Sequence, residues 1–249
     1  MTFIDTHCHL EICKDLPGLI ERAKESGVNV ILSAGTDVET NRKALEFARK
    51  YDCVRACLGV YPVDGLKMSD GELDKEIDFI RWNKVRVAGV GEVGLDLKHG
   101  DDLEKQIDIF SKFIELAKKL DKPLIVHSRQ AEKEAVDVLE KSGAEKVVMH
   151  CFCGDLDLID RIVENGWSFS VPAKVVFDEQ FQELVGRVDI DRLLCETDSP
   201  FLHYVKGERD NEPKNVVESY KKIAEIKGMK LEEVEGAVED NFRRLFGKI

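Results

Sequence analysis

Proline is scarce, six residues in 249, and no long polar tract interrupts the chain. Such a sequence suits one large domain or two small ones, and an α/β barrel commonly fills this length as a single domain. Long apolar runs are missing as well. No stretch is apolar and long enough to cross a bilayer, so no membrane association is expected. The first residues carry neither the basic region nor the apolar segment of a secretory signal, and we expect a cytoplasmic protein. An even cysteine set is also missing. Seven is an odd count, and Cys53, Cys57 and Cys195 lie in apolar runs, which points to reduced thiols rather than a disulfide framework. Cys151-Phe-Cys153 is not by itself a zinc-knuckle spacing. Finally, the chain lacks surplus positive charge: 37 basic against 49 acidic residues leave a net −12. That argues against broad, non-specific binding to a polyanion. It does not exclude a phosphodiester substrate, because bound metal ions can invert the local field.

What is present is an alternation of β-branched apolar runs with amphipathic stretches. The runs Phe3–Thr6, Val28–Ala34, Val54–Val60, Val87–Gly91, Leu124–His127, Lys146–His150, Ser168–Val171 and Leu193–Glu196 read as strands. Their near-continuous hydrophobicity suits a parallel sheet covered on both faces. Helical patterns lie between them: Leu16–Glu25, Asp37–Lys50, Ser69–Trp82, Leu103–Leu120, Gln130–Lys141 and Leu156–Asn165, with Pro213–Ile226 and Leu231–Phe246 closing the chain. Strand starts recur roughly every 20–40 residues, the pitch of βα units. Eight such units predict a (β/α)₈ TIM barrel forming one domain over residues 1–249. An open doubly wound sheet is the alternative, but no Gly-x-Gly-x-x-Gly follows the first strand. Two irregular loops, Lys98–Asp102 and Pro200–Pro213, fall after strands, where a barrel keeps its specificity.

Chemistry collects at the strand ends. His7-Cys8-His9 follows the first strand, and on an extended segment the i, i+2 spacing puts both imidazoles on one face. Glu92 follows the fourth, His127-Ser128-Arg129 the fifth, His150 the sixth and Glu196-Thr197-Asp198 the eighth. Taken singly, His127 and His150 read as satisfied core histidines. Glu92 alone reads as a loop carboxylate and Asp198 as a turn residue. Together, at strand ends that a barrel gathers around one mouth, they form a coherent set of metal ligands. Arg129 is then either a fork for phosphate or a surface arginine starting the next helix. Lys206 and Arg209 either hold flanking phosphates or decorate a solvated loop. Tyr61 either stacks on a base or packs at the rim. His203 matches no motif and is expected to tolerate replacement.

His7-Cys-His9, Gly91-Glu92-Val-Gly-Leu-Asp96, His127-Ser-Arg129, His150-Cys-Phe152, Glu196-Thr-Asp198-Ser-Pro200 and Asn211-Glu212-Pro213-x-Asn215, spread over nearly the whole chain, together resemble the TatD family of metal-dependent hydrolases. Asn241-Phe-Arg-Arg-Leu245-Phe246 is similar to that family's closing helix. The resemblance implies a TIM barrel, two divalent metal ions (Zn²⁺, Mg²⁺ or Mn²⁺) and hydrolysis of DNA phosphodiesters. It implies that Glu92 bridges the ions, with His7, His9 and Asp198 on one and His127 and His150 on the other, Asp198 doubling as general base. Three departures stand out. The family's Gly-x-His-Pro-His becomes Gly59-Val60-Tyr61-Pro62-Val63, without either histidine; Leu97-Lys98 follows Asp96 in place of an aromatic pair; and Cys153 stands for the usual serine. A metal-dependent deoxyribonuclease is the leading expectation, with a monomer favoured. The alternatives are an acyl or amide hydrolase acting on an aminoacyl-tRNA or a small cyclic amide, and a non-catalytic metal-bound scaffold.

Overall fold

The computed structural model describes residues 2–247. Eight strands form a single sheet in sequence order, each pairing in parallel with the next: β1 Phe3–Cys8, β2 Val28–Ala34, β3 Val54–Leu58, β4 Val87–Asp96, β5 Leu124–Arg129, β6 Val147–His150, β7 Ser168–Pro172 and β8 Leu193–Glu196. The ring is drawn shut just past β8. Asp198 donates its N–H to the His7 carbonyl at 2.9 Å, and His9 donates to the Ser199 carbonyl at 2.8 Å. Deeper in the same seam, the Thr197 N–H and hydroxyl donate to the buried Asp5 carboxylate at 2.9 and 2.6 Å. This is the expected (β/α)₈ barrel.

The helices are α1 Leu16–Glu25, α2 Val38–Lys50, α3 Pro62–Gly65, α4 Asp70–Trp82, α5 Leu103–Leu120, α6 Glu132–Ser142, α7 Leu156–Glu164, α8 Glu179–Arg187, α9 Val216–Lys227 and α10 Leu231–Phe246. Reciprocal side-chain caps start two of them: Asp37 with Thr40 on α2, and Ser69 with Glu72 on α4. The longer helices each bury an apolar stripe. In α5 the stripe is Ile109, Phe110, Phe113, Ile114 and Leu116, all buried, each stabilising the fold by about 1.5–3 kcal/mol.

Several boundaries and elements differ from the sequence reading, among them β1, which runs to Cys8 rather than Thr6, and β5, which runs to Arg129 rather than His127. β4 runs five residues beyond Gly91, so Glu92 sits within a strand and not in a loop. The glycines that look like loop punctuation are there because β5 comes too close for a side chain. Gly91 and Gly94 have φ of +152° and +147°, and a Cβ on Gly94 would lie 1.9 Å from the His127 carbonyl oxygen. The helix α8, between β7 and β8, is not apparent in the sequence. It is only nine residues long, capped by Asp178 on Gln180, and buries Phe181, Leu184 and Val185. The four-residue α3 is equally hidden. α6 starts at Glu132 rather than Gln130, since Gln130 sits at φ +55°. Among the described residues all seven cysteines are free thiols, and no helix is long and apolar enough to cross a membrane.

Candidate metal centre

The strand ends of β1, β4, β5, β6 and β8 converge on a cavity of about 500 Å³. His9, Glu92, His127, Arg129, His150 and Asp198 line it, joined by Tyr61, His99 and Phe201. Glu92 stands in the middle, nearly inaccessible, and its two oxygens face different partners. Oε2 lies 3.4 Å from Nε2 of His7 and 3.4 Å from Nε2 of His9. Oε1 lies 2.8 Å from Nδ1 of His127 and 3.7 Å from Nε2 of His150. Asp198 Oδ1 completes the first group, 3.6 Å from His7 Nε2 and 3.3 Å from His9 Nε2, while those two nitrogens are 3.3 Å apart.

These separations can be tested against a metal shell. A tetrahedral ion with bonds of about 2.0–2.2 Å has ligand atoms roughly 3.3–3.6 Å apart. The five measured separations among His7, His9, Glu92 and Asp198 donors fall within that span. The ring nitrogens are presented accordingly. His9 Nδ1 is 3.1 Å from the Ala34 carbonyl and 3.4 Å from Glu11, which leaves Nε2 as the unprotonated donor. His150 Nδ1 is 3.0 Å from both oxygens of Glu196, leaving its Nε2 toward Glu92. His127 is turned the other way: Nε2 meets Asp96 at 3.2 Å and Nδ1 meets Glu92. His7 Nδ1 is buried without a hydrogen-bond partner among the described residues. Such imidazole and carboxylate donors suit a transition-metal dication.

The electrostatics follow from burial set against close countercharge. Burial holds His7 and His150 below the ordinary imidazole range. For His9 burial acts in the same direction, but contacts with Asp198 and Glu11 outweigh it and lift the ring well above that range. His127, buried yet clamped between Asp96 and Glu92, is pushed up to about 9. Burial disfavours charge on Glu92 and Asp198, yet imidazole contacts, from His127 and His7 and from His9 respectively, keep both below the usual carboxylate range. Glu196 has burial as its dominant influence and rises to about 8.

Arg129, at the end of β5, is half-buried and lines the cavity. Tyr61 also lines it, with its hydroxyl donating to Asp96. Lys206 and Arg209 are exposed on the loop after β8, outside the cavity lining. His203 lies on the same loop, stacked on Tyr204, and accepts from the Val205 N–H. The Asn211–Asn215 motif secures the loop's return: Asn211 donates to the Thr197 carbonyl at 2.9 Å, Asn215 donates to Asn211, and Glu212 takes a two-pronged contact from Arg22. The sequence reading missed three contributors. Glu196, held also by the Ser170 hydroxyl, orients His150. Asp96 gathers Tyr61, His99 and His127 on one oxygen. Glu11 supports His9. The signal available for Glu196 and Asp96 was their charge at the ends of otherwise apolar strands.

The comparisons with known proteins agree with this construction. The family described as TatD related DNase matches residues 4–247. A metal-dependent hydrolase of Methanocaldococcus jannaschii is 35% identical over 98% of this chain and 96% of its own. The human deoxyribonuclease TATDN3 is 34% identical over 99% of this chain and 95% of its own. The crystal structure of YjjV, a TatD homologue from Escherichia coli K12, superposes with a TM-score of 0.93 at 28% identity, covering 99% of this chain and 98% of that one. With eight parallel strands in a ring, a histidine and carboxylate cluster at their ends and whole-length matches of this kind, the chain belongs to the TatD family of metal-dependent hydrolases.

Proposed function

We propose that this protein is a deoxyribonuclease that hydrolyses DNA phosphodiester bonds with two divalent ions held at the barrel mouth. The observation that carries the reading is the two-sided placement of Glu92, one oxygen toward His7, His9 and Asp198 and the other toward His127 and His150. His7, His9, Glu92 and Asp198 would hold one ion, and Glu92, His127 and His150 the other. When bound, such a pair polarises a phosphoryl group and makes water nucleophilic near neutral pH.

The chain's own residues supply the rest. Asp198 accepts the proton of the attacking water from its place at the cavity wall. Arg129 offers a planar fork to the non-bridging oxygens, where charge builds in phosphoryl transfer. Lys206 and Arg209 serve phosphates beyond the cavity. The family and the name of the human relative support a nucleic-acid substrate. The test is turnover of end-labelled single- and double-stranded DNA beside an aminoacyl-tRNA, with Mg²⁺, Mn²⁺ and Zn²⁺ each supplied. DNA cleavage that depends on added metal is expected. Deacylation of the tRNA with intact DNA under all three metals would replace this reading with an acyl hydrolase.

A further inference from the structure

Four of the six histidines belong to the two donor groups, and His203 lies on the outer loop. His99 is different: it lines the cavity yet joins neither group. Its Nδ1 lies 2.9 Å from Oδ2 of Asp96. Asp96 is itself held by several hydrogen bonds. Its other oxygen accepts from the N–H groups of Lys98 and His99 at 2.8 and 2.9 Å, and Gln106 brackets its peptide, accepting from its N–H at 2.7 Å and donating to its carbonyl at 3.0 Å. With Nδ1 engaged, the ring is set as a donor to the carboxylate, and Nε2 is the nitrogen left for the cavity. The His99 side chain is 52% exposed, so packing does not account for a ring held this firmly.

Placement across the mouth gives the dyad a use. β4 and β8 are four strands apart in a ring of eight, on opposite sides of the barrel. His99 follows β4 by three residues and Asp198 follows β8 by two, and both line the same cavity. In phosphoryl transfer the attacking and leaving oxygens lie roughly in line. A proton acceptor on one wall therefore calls for a proton donor on the opposite one.

We propose that His99, oriented by Asp96, is the general acid that protonates the departing oxygen of the cleaved phosphodiester. The role rests on the phosphodiester reading above. The water oxygen forms its bond to phosphorus and gives its proton to Asp198. The bond from phosphorus to the leaving oxygen breaks, and that oxygen takes the Nε2 proton of His99. The ring passes from cation to neutral while still donating to Asp96. Solvent, which reaches half of the side chain, then returns a proton to His99 as Asp198 releases one.

The test compares leaving groups. Metal-loaded wild type and His99→Gln are assayed on a DNA oligonucleotide, whose leaving alkoxide needs a proton, and on the p-nitrophenyl ester of thymidine 5′-monophosphate, whose phenolate leaves without one. Metal content is measured in both proteins, because Asp96 also touches His127. The variant is expected to lose roughly 10²-fold or more in kcat on DNA and less than about 3-fold on the ester, metal content unchanged. Equal losses on both substrates, or no loss on DNA, would overturn the acid role. Wild type that cleaves neither substrate would overturn the phosphodiester reading first and this role with it, a result distinguishable by the wild-type arm alone.

Discussion

On the β1–β8 side of Glu92, the donors of His7, His9 and Asp198 stand 3.3–3.6 Å apart, and the ring behind them, His9, leans on the backbone carbonyl of Ala34 with Glu11 close by. On the β5–β6 side the spacing is uneven, 2.8 Å from Glu92 to His127 and 3.7 Å to His150, and each ring leans on a buried carboxylate, Asp96 or Glu196. The first side carries its negative charge among the atoms that would touch an ion. The second keeps it one step behind, on Asp96, with Glu196 gaining charge only above about pH 8. A carboxylate behind a ligating imidazole raises its basicity and fixes its orientation, typically to an extent of about 10–100-fold in affinity. We therefore expect the β1–β8 side to hold its ion by geometry already in place, and the β5–β6 side to depend on Asp96 and Glu196.

The largest effect should come from the residue common to both sides. In Glu92→Gln the amide keeps the size and one acceptor oxygen but turns a donor N–H toward one donor group and loses the charge shared by both. Metal content should fall from two ions per chain toward none, and kcat should drop by about 10⁴-fold, the upper end for loss of a positioned polar group in catalysis. Retention of two ions with ordinary turnover would dissolve the comparison altogether.

Asp198→Asn should act on one side alone. The amide oxygen can still face an ion, but it cannot take a proton. We expect kcat to fall about 10²–10⁴-fold, with the β5–β6 ion retained and substrate binding less affected, since Arg129 is untouched. Metal analysis and circular dichroism come first, then kcat and KM. Near wild-type kcat with both ions bound would remove Asp198 as the base.

Glu196→Gln tests the other side. The amide oxygen still accepts from His150, but the charge that Glu196 carries above about pH 8 is gone, so at pH 9 one ion should bind about 10–100-fold more weakly while the other is unchanged. Stepwise removal with a chelator should show two phases separated further than in wild type. If both phases shift together, the two sides are not independent. His203→Ala is the smallest effect: with the ring out on the loop against Tyr204, kcat/KM should stay within about 2-fold. A larger loss would place that loop over the bound substrate.

Much of this was legible along the chain. The His7–His9 pair needs only strand periodicity to share a face, and the apolar runs before Glu196 and Asp198 mark the last barrel strand without any tertiary knowledge. The caps at Asp37 and Ser69 are equally local. What escaped notice depended on neighbours distant in sequence. Gly94 read as a loop residue because its reason is the backbone of β5, some thirty residues away. The helix α8 is too short for its periodicity to stand out beside the polar residues around it. His99 gave no signal, since its interest lies in a contact with Asp96 and in lining the same cavity as Asp198.

The sequence by itself determined the number and order of the strands and the inventory of donors at their ends, because both follow from patterns a few residues long. Only the tertiary structure decided how the donors are shared. That Glu92 turns one oxygen to each histidine group, that Glu196 stands behind His150 while Asp198, two residues on, faces the cavity, and that Lys206 and Arg209 fall outside it are consequences of closing eight strands into a ring. Closure sets distances between residues far apart along the chain, and no local pattern encodes them.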